Sequence, residues 1–308
     1  MRRKIPSTQA LACFEAAARH ESYTRAAEEL ALTQSAVSRQ ILALEAFLGV
    51  PLFRRTRHGV ALTPGGAHYW RQVSRSLQGL ERDTLDAMAG QGQGGTVALA
   101  AVPTFATRWL IPRLPALATS HPDILVHIET RTRPFLFADT VFDAALYAGT
   151  REQVAHWPGI EAELLMDEDV VPVCCPRLLA GVPPGQLAPA ALAGMPLLQQ
   201  STRPQVWRAW FDTVGVSAPH ALDGPRYELF SMLAVAATHA MGVALMPRML
   251  IEAELARGDL VVANTTPLRG ERAYYLVTPA TGSEPPAVAD FKAWVRGMAA
   301  QARGAGLA

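Results

Sequence analysis

Thr33-Gln34-Ser35-Ala36-Val37-Ser38-Arg39-Gln40-Ile41-Leu42-Ala43-Leu44-Glu45-Ala46-Phe47-Leu48-Gly49 is the stretch whose reading decides the rest of the chain. Val37, Ile41, Leu44 and Leu48 recur at spacings of four, three and four, the period of a helix with one apolar face. Thr33 stands where an N-cap hydroxyl is wanted, and Gly49 where the chain must turn left-handed to leave the helix. With the apolar residues inward, Ser35, Ser38 and Arg39 occupy the outer face and Gln34 its border. Such side chains suit a DNA major groove. Arginine pairs with guanine and glutamine with adenine through two hydrogen bonds each, while hydroxyls and helix amino termini take phosphates.

Working outward, Leu11, Phe14 and Ala18 predict a first helix starting at Ser7, and a short second helix runs from Ser22 to Leu30, joined to the third by Ala31-Leu32. Helix, short helix, brief turn and longer helix make a helix-turn-helix. On the other side, Pro51 to Arg55 and Val60 to Thr63 are extended runs around Thr56-Arg57-His58-Gly59, a hairpin wing. Arg54, Arg55 and Arg57 would meet backbone phosphate, with Arg57 or His58 at the tip in the minor groove. After Thr63-Pro64-Gly65-Gly66 a helical pattern continues to about Ala89. Trp70, Val73, Leu77, Leu80, Thr84 and Ala87 form a heptad seam that predicts a dimerisation helix, with packing on its own domain as the alternative. Gly90-Gln91-Gly92-Gln93-Gly94-Gly95 reads as a linker; a dinucleotide fingerprint would have to follow a strand and open a helix, whereas this run does the reverse.

Charge agrees with this division. The chain of 308 residues carries a formal net charge of +1, yet residues 1–75 hold 11 basic against 5 acidic side chains and the remainder 17 against 22. A basic head on a mildly acidic body points to a nucleic-acid-binding end attached to a domain with other work. Length alone asks for more than one core. The start, Met1-Arg2-Arg3-Lys4, is followed by Pro6 to Gln9 and not by the apolar core of an export signal, and no apolar run is long enough to span a bilayer, so a cytoplasmic protein without membrane contact is expected. Three cysteines, with Cys174 and Cys175 adjacent, cannot make a disulfide framework, and neighbours on a strand point to opposite faces, so buried packing is expected in place of redox sensing. The eight histidines fall into no ligand cluster, and neither a nucleophile elbow nor a phosphate loop occurs; no metal, cofactor or catalytic residue is expected.

Beyond Thr96 the pattern alternates between short apolar strands and helices. Expected strands are Val97–Ala101, Ile124–Glu129, Ala144–Tyr147, Val170–Cys174, Leu197–Gln199, Gly242–Met246, Leu260–Val262 and Tyr274–Thr278, with a last helix over Val288–Ala300. Such alternation predicts parallel α/β sheets, and the length allows two lobes with a cleft between them.

The runs Ala10 to Ala18, Tyr23 to Leu30, Thr33 to Ile41 with Leu44-Glu45, Leu48 to Arg55 and Leu62 to Gly66 together resemble the N-terminal domain of LysR-type bacterial transcriptional regulators. Pro103 to Leu114, Gly242 to Pro247 and Tyr274 to Val277 look like the effector domain of the branch with glycine-cleavage activators and β-lactamase-inducing regulators. The resemblance implies an α+β multidomain chain: a winged helix-turn-helix over 1–65, a linker helix and hinge over 66–95, and a two-lobed periplasmic-binding-protein-like effector domain over 96–308. Lobe I would take about 96–165 and 268–308, and lobe II about 166–267. It further implies a homodimer assembling to a homotetramer on an interrupted palindromic operator of double-stranded DNA, contact with RNA polymerase, and a small-molecule effector. An effector-independent regulator, or more remotely a solute-binding protein, is the alternative.

Pro103-Thr104 follows the first strand of this region and opens a helix, so hydroxyl and amides form a candidate anion site, and similar regulators carry Ser or Thr there. Phe105 adjoins it. Thr130 and Thr132 end the strand from Ile124, and Ser201 and Thr202 follow the strand ending at Gln199. Ligands of open α/β sheets bind at such carboxyl ends, although each hydroxyl can equally be a helix cap. Where related regulators often carry small hydroxyl residues, this chain has Leu229 and Phe230 before Ser231, which points to an apolar contact of Phe230 with the ligand or a changed pocket.

Overall fold

The computed structural model describes residues 4–57, 59–88, 95–282 and 284–305, in two compact units. The first holds α1 (Thr8–His20), α2 (Tyr23–Glu29), α3 (Gln34–Leu48), the antiparallel hairpin β1 (Phe53–Thr56) and β2 (Gly59–Leu62), and α4 (Pro64–Met88). Each of the first three helices opens on a hydroxyl. Ser7 Oγ accepts from Ala10 N at 3.2 Å, Ser22 Oγ from Arg25 N at 3.3 Å and Thr33 Oγ1 from Ala36 N at 3.2 Å, caps that contribute about 1 kcal/mol each. Gly49 closes α3 with φ 74°, where a side chain would be strained.

Small residues let these helices approach closely: Cys13, Ala16, Ala17, Ala26, Ala27, Val37 and Ile41 form one core cluster. A second cluster joins Ala10, Phe14, Leu44, Leu52 and Val73, with Tyr69, Trp70 and Leu77 packed against it. The amino-terminal half of the expected α4 seam is therefore engaged by its own unit. Leu80 is 50% exposed and begins the free part. The side chain of Ala87 and residues Gly90 to Gly94 of the expected linker lie outside the described residues, while Gly95, also expected in it, opens the following strand.

The second unit follows with β3 (Gly95–Ala101), α5 (Pro103–Phe105), a π turn (Ala106–Leu110), a 3-10 turn (Ile111–Arg113), α6 (Leu114–Ser120), β4 (Ile124–Thr130), β5 (Ala144–Thr150), α7 (Arg151–Ala155), β6 (Ile160–Asp167) and β7 (Val170–Cys174). It continues through α8 (Pro189–Leu192), β8 (Leu197–Gln200), α9 (Val206–Thr213), β9 (Arg226–Tyr227), α10 (Phe230–Thr238), β10 (Val243–Pro247), α11 (Glu252–Arg257), β11 (Val261–Val262), β12 (Arg272–Pro279) and α12 (Pro286–Ala305). Two five-stranded sheets result, in the orders β4-β3-β5-β12-β6 and β11-β7-β10-β8-β9.

Neither sheet is wholly parallel, contrary to the expectation from the strand pattern. β3 runs parallel to β4 and β5, but β12 is antiparallel to both β5 and β6; in the second sheet β7 is antiparallel to β10 and β11. The cause is the path between sheets. Only Glu168-Asp169 separate β6 from β7, and β12 comes back from the second sheet, so both crossing strands enter against the direction set by the helix-linked ones. β6 also escaped the sequence reading, because Ile160-Glu161-Ala162-Glu163 is an edge segment whose charges face solvent. α12 extends beyond both ends of the helix expected over 288–300.

Candidate nucleic-acid interface and ligand cleft

In the first unit, Val37, Ile41 and Leu44 are buried against α1 and α2, which fixes the opposite face of α3 toward solvent. Thr33, Gln34, Ser35 and Arg39 are exposed and Ser38 is half-buried. Thr33 combines two tasks, since its hydroxyl caps the helix and lies 3.1 Å from Ser35 Oγ. Arg54, Arg55 and Arg57 are exposed on the hairpin; His58 lies outside the described residues.

Glu45, to which sequence reasoning gave no role, holds the wing to α3, and Gly59 of the turn holds it to the end of α1. Glu45 Oε1 accepts from the backbone N–H groups of Leu52 and Phe53 at 2.6 and 3.1 Å, tying the start of β1 to α3. Gly59 approaches so closely that a Cβ there would stand 2.5 Å from Glu21 O, the same oxygen that accepts from Val60 N at 3.2 Å. On the far side, Arg19 bonds both Glu15 and Glu29, and His20 also reaches Glu29; these bonds bring the Glu29 carboxyl down to about 2.

In the second unit, the segment from Thr104 to Arg113 spans between the sheets. Thr104 is buried, and its Oγ1 accepts from Ser231 N at 3.4 Å. Leu229, the N-cap of α10, offers no side-chain cap, so a hydroxyl from the other lobe faces that helix start. Further along, Arg108 bonds Leu250 O and Glu254 Oε1, at 3.3 and 2.5 Å, and Arg113 bonds Glu252 at 2.8 Å while lying over the Trp109 ring. The α-helical run expected after Pro103 is in fact three residues long before the π turn, which aligns Trp109 and Leu110 inward.

Beside Thr104 lies a charged cluster. Glu168 is 4% exposed; Arg203 reaches it through Nε and Nη2, both at 2.7 Å, and Arg272 Nε stands 3.7 Å from its Oε1. Arg203 also donates to Thr202 Oγ1 at 3.0 Å and stacks on the Phe230 ring at 4.7 Å. Arg272 donates to Ala148 O at 2.8 Å, but its buried Nε has no hydrogen-bond partner. Burial, aided by the Arg203 charge, pushes the Arg272 guanidinium down, while burial and the Glu168 carboxylate push the Tyr274 hydroxyl well up, so Tyr274 stays a neutral donor. Phe105 stacks on Tyr274 at 4.5 Å and on Trp109 at 4.7 Å. Gln200 is 4% exposed and its Oε1 lacks a partner.

Thr104, Phe105, Thr202 and Phe230 are therefore brought to one cluster. Phe230 serves it as the platform under Arg203. Thr130, Thr132 and Ser201 are exposed, with no side-chain bond to the cluster among the described residues. Glu168, Arg203, Arg272 and Tyr274 were missed as site residues. The signal was faint: Asp167-Glu168-Asp169 stands just ahead of the apolar strand Val170–Cys174, and a glutamate there is buried only if paired. Cys174 and Cys175 are free and buried as expected; burial raises the Cys174 thiol to about 11, and Arg177 lowers that of Cys175. Among the described residues no metal-binding group of side chains occurs, and no helix is long and apolar enough to cross a membrane.

Residues 8–67 match the bacterial regulatory helix-turn-helix family of LysR type, and residues 90–300 match the LysR substrate binding domain. The chain is 37% identical over 302 residues to the glycine cleavage system transcriptional activator of Escherichia coli K12, covering 97% of this chain and 96% of that protein. It is 33% identical over 292 residues to the transcriptional activator AmpR of Rhodobacter capsulatus, covering 95% and 97%. The solved effector domain of AmpR from Pseudomonas aeruginosa, 28% identical, superimposes with a TM-score of 0.58 over 68% of this chain and 98% of its own. By its two matched domains and its curated relatives, the chain belongs to the LysR family of helix-turn-helix transcriptional regulators.

Proposed function

We propose that this regulator reads DNA through α3 and the wing, and that a small anion bound between its lobes sets its activity. Gln34, Ser35, Ser38 and Arg39 supply sequence choice at base edges, and Arg54, Arg55 and Arg57, with His58, supply salt-dependent grip on phosphate. A homodimer presents two such helices to half-sites one helical turn or a multiple of it apart, and two dimers form a homotetramer on an interrupted palindrome. The protein works in the cytoplasm. The anion favours one assembly shape over another and thereby changes contact with RNA polymerase, a population shift.

The observation carrying the cleft assignment is the excess of positive charge between the lobes, where two guanidinium groups face one carboxylate beside Thr104 and the start of α10. Binding of promoter fragments from its own genomic neighbourhood, with and without carboxylates, amino acids and nucleobases found by thermal shift, tests it. Thr104→Val is expected to weaken the response to such a molecule while operator affinity stays nearly unchanged. Equal loss of both counts against the cleft.

A further inference from the structure

Glu168 occupies an unusual place. It sits in the two-residue link between β6 and β7, where the chain leaves the first sheet for the second, and its N–H donates to Arg272 O at 3.1 Å. Its carboxylate pairs with Arg203, which belongs to the second lobe, and faces Arg272, which opens β12 of the first. Of the groups acting on Arg272, Arg203 and Glu168 carry charge, while burial holds the hydroxyls of Tyr147 and Tyr274 neutral. The cluster thus holds one positive charge more than it neutralises, around a Glu168 almost wholly removed from water, with the Arg203 side chain 14% and the Arg272 side chain 30% exposed. Of the two arginines Arg203 grips the carboxylate closely, whereas Arg272 stands 3.7 Å from it, with its Nε buried and making no hydrogen bond.

We infer that Glu168 sets the charge of the acid admitted between the lobes: one carboxylate, carrying one negative charge, completes the cluster, and a dianion is turned away. This rests on the proposed reading of the cleft as the effector site. A monocarboxylate brings the sum of Arg203, Arg272, Glu168 and ligand to zero. Sulfate or a phosphate dianion overshoots it and sets two negative charges against the Glu168 carboxylate. The planar fork of an arginine matches a carboxylate in geometry as well as in sign. Glu168 makes this choice through charge and through its hold on Arg203, so it is a positioning and selectivity residue.

The experiment uses the full chain, with benzoate as the monoanion and sulfate as the dianion, their dissociation constants measured by calorimetry at constant ionic strength. The wild type is expected to prefer benzoate. Glu168→Gln raises the enclosed excess to two charges and should move the preference toward sulfate by about tenfold or more. The double variant Glu168→Gln with Arg272→Gln, back at one, should return it to the wild-type value. Arg272→Gln alone leaves Arg203 and Glu168 balanced, folds without an enclosed excess, and should lose affinity for both anions. A preference that ignores Glu168, or a double variant that fails to restore it, overturns the inference, as does absence of binding in both the wild type and Glu168→Gln. Thr104→Val separates the two ideas. If it weakens benzoate binding while the preference ignores Glu168, the cleft stands and the charge rule falls. If the preference follows Glu168 and Thr104→Val changes nothing, the charge rule stands and Thr104 is not part of the site.

Discussion

Arg39 stands exposed one turn into α3, opposite Val37 and Ile41, which the core holds at 0% exposure. Its direction is thus set by packing behind it, and its loss should remove a base contact without disturbing the fold. Arg39→Ala is expected to cost about 1 to 3 kcal/mol of operator affinity and to relax sequence preference, whereas Arg57→Ala should mainly lower the salt slope by about 1. Footprints indifferent to Arg39→Ala would remove it from base reading. These two residues were legible because a helix period and a hairpin turn fix outward direction from sequence alone. Glu168 was not legible, since its role depends on Arg203 and Arg272, thirty-five and more positions away, and nothing local records that meeting.

At the level of elements, the wing depends on a hinge point. Glu45 accepts two backbone N–H groups at the start of β1, and hydrogen bonds to a charged group contribute about 1.5 to 3 kcal/mol. Glu45→Ala is expected to lower the urea midpoint and to weaken DNA binding at all sequences alike, because the arginines of the hairpin lose their placement. The packing of α4 on this hairpin leaves even less room: a Cβ on Gly66 would stand 2.1 Å from Leu52 O. Gly66→Ala should destabilise the unit, whereas the same change at Gly79, with open space around it, should not. The pair of Glu29 with Arg19 and His20 gives a pH signature. Its carboxyl titrates at about 2 in the folded chain against a usual 4.5, so its contribution is present above about 4.5 and disappears as pH falls toward 2. Side-chain exposure of 39% limits that contribution to about 0.2 to 1 kcal/mol. Wild type and Glu29→Gln should therefore differ in stability at neutral pH and converge near pH 2. Sequence periodicity captured the helices here better than the strands of the second unit. An edge strand such as β6 shows exposed charges at Glu161, Glu163 and Asp167, and direction within a sheet follows from where the chain crosses, which no periodicity encodes.

On the scale of the whole molecule, the second unit closes its own core. Trp109, Trp207, Phe211 and Phe291 are fully buried within it, and its lobes are joined by Arg108 to Glu254 and Arg113 to Glu252. Glu254 is only 12% exposed on its side chain, so Arg108→Ala leaves a carboxylate enclosed without its cation, a change that typically costs about 3 to 5 kcal/mol. The two units hold separate apolar clusters, which makes the work of each separable in principle. A chain of residues 93–308 should therefore fold alone, melt cooperatively, and keep the benzoate dissociation constant of the full chain, because every group of the charged cluster and Thr104 lies within it. The same fragment should not bind promoter DNA, since α3 and the hairpin arginines are gone. Arg108→Ala placed in that fragment should lower its melting temperature by the same amount as in the full chain. If the fragment instead loses anion binding while remaining folded, the cleft needs the amino-terminal unit to be complete, and the two functions are not carried by separate cores.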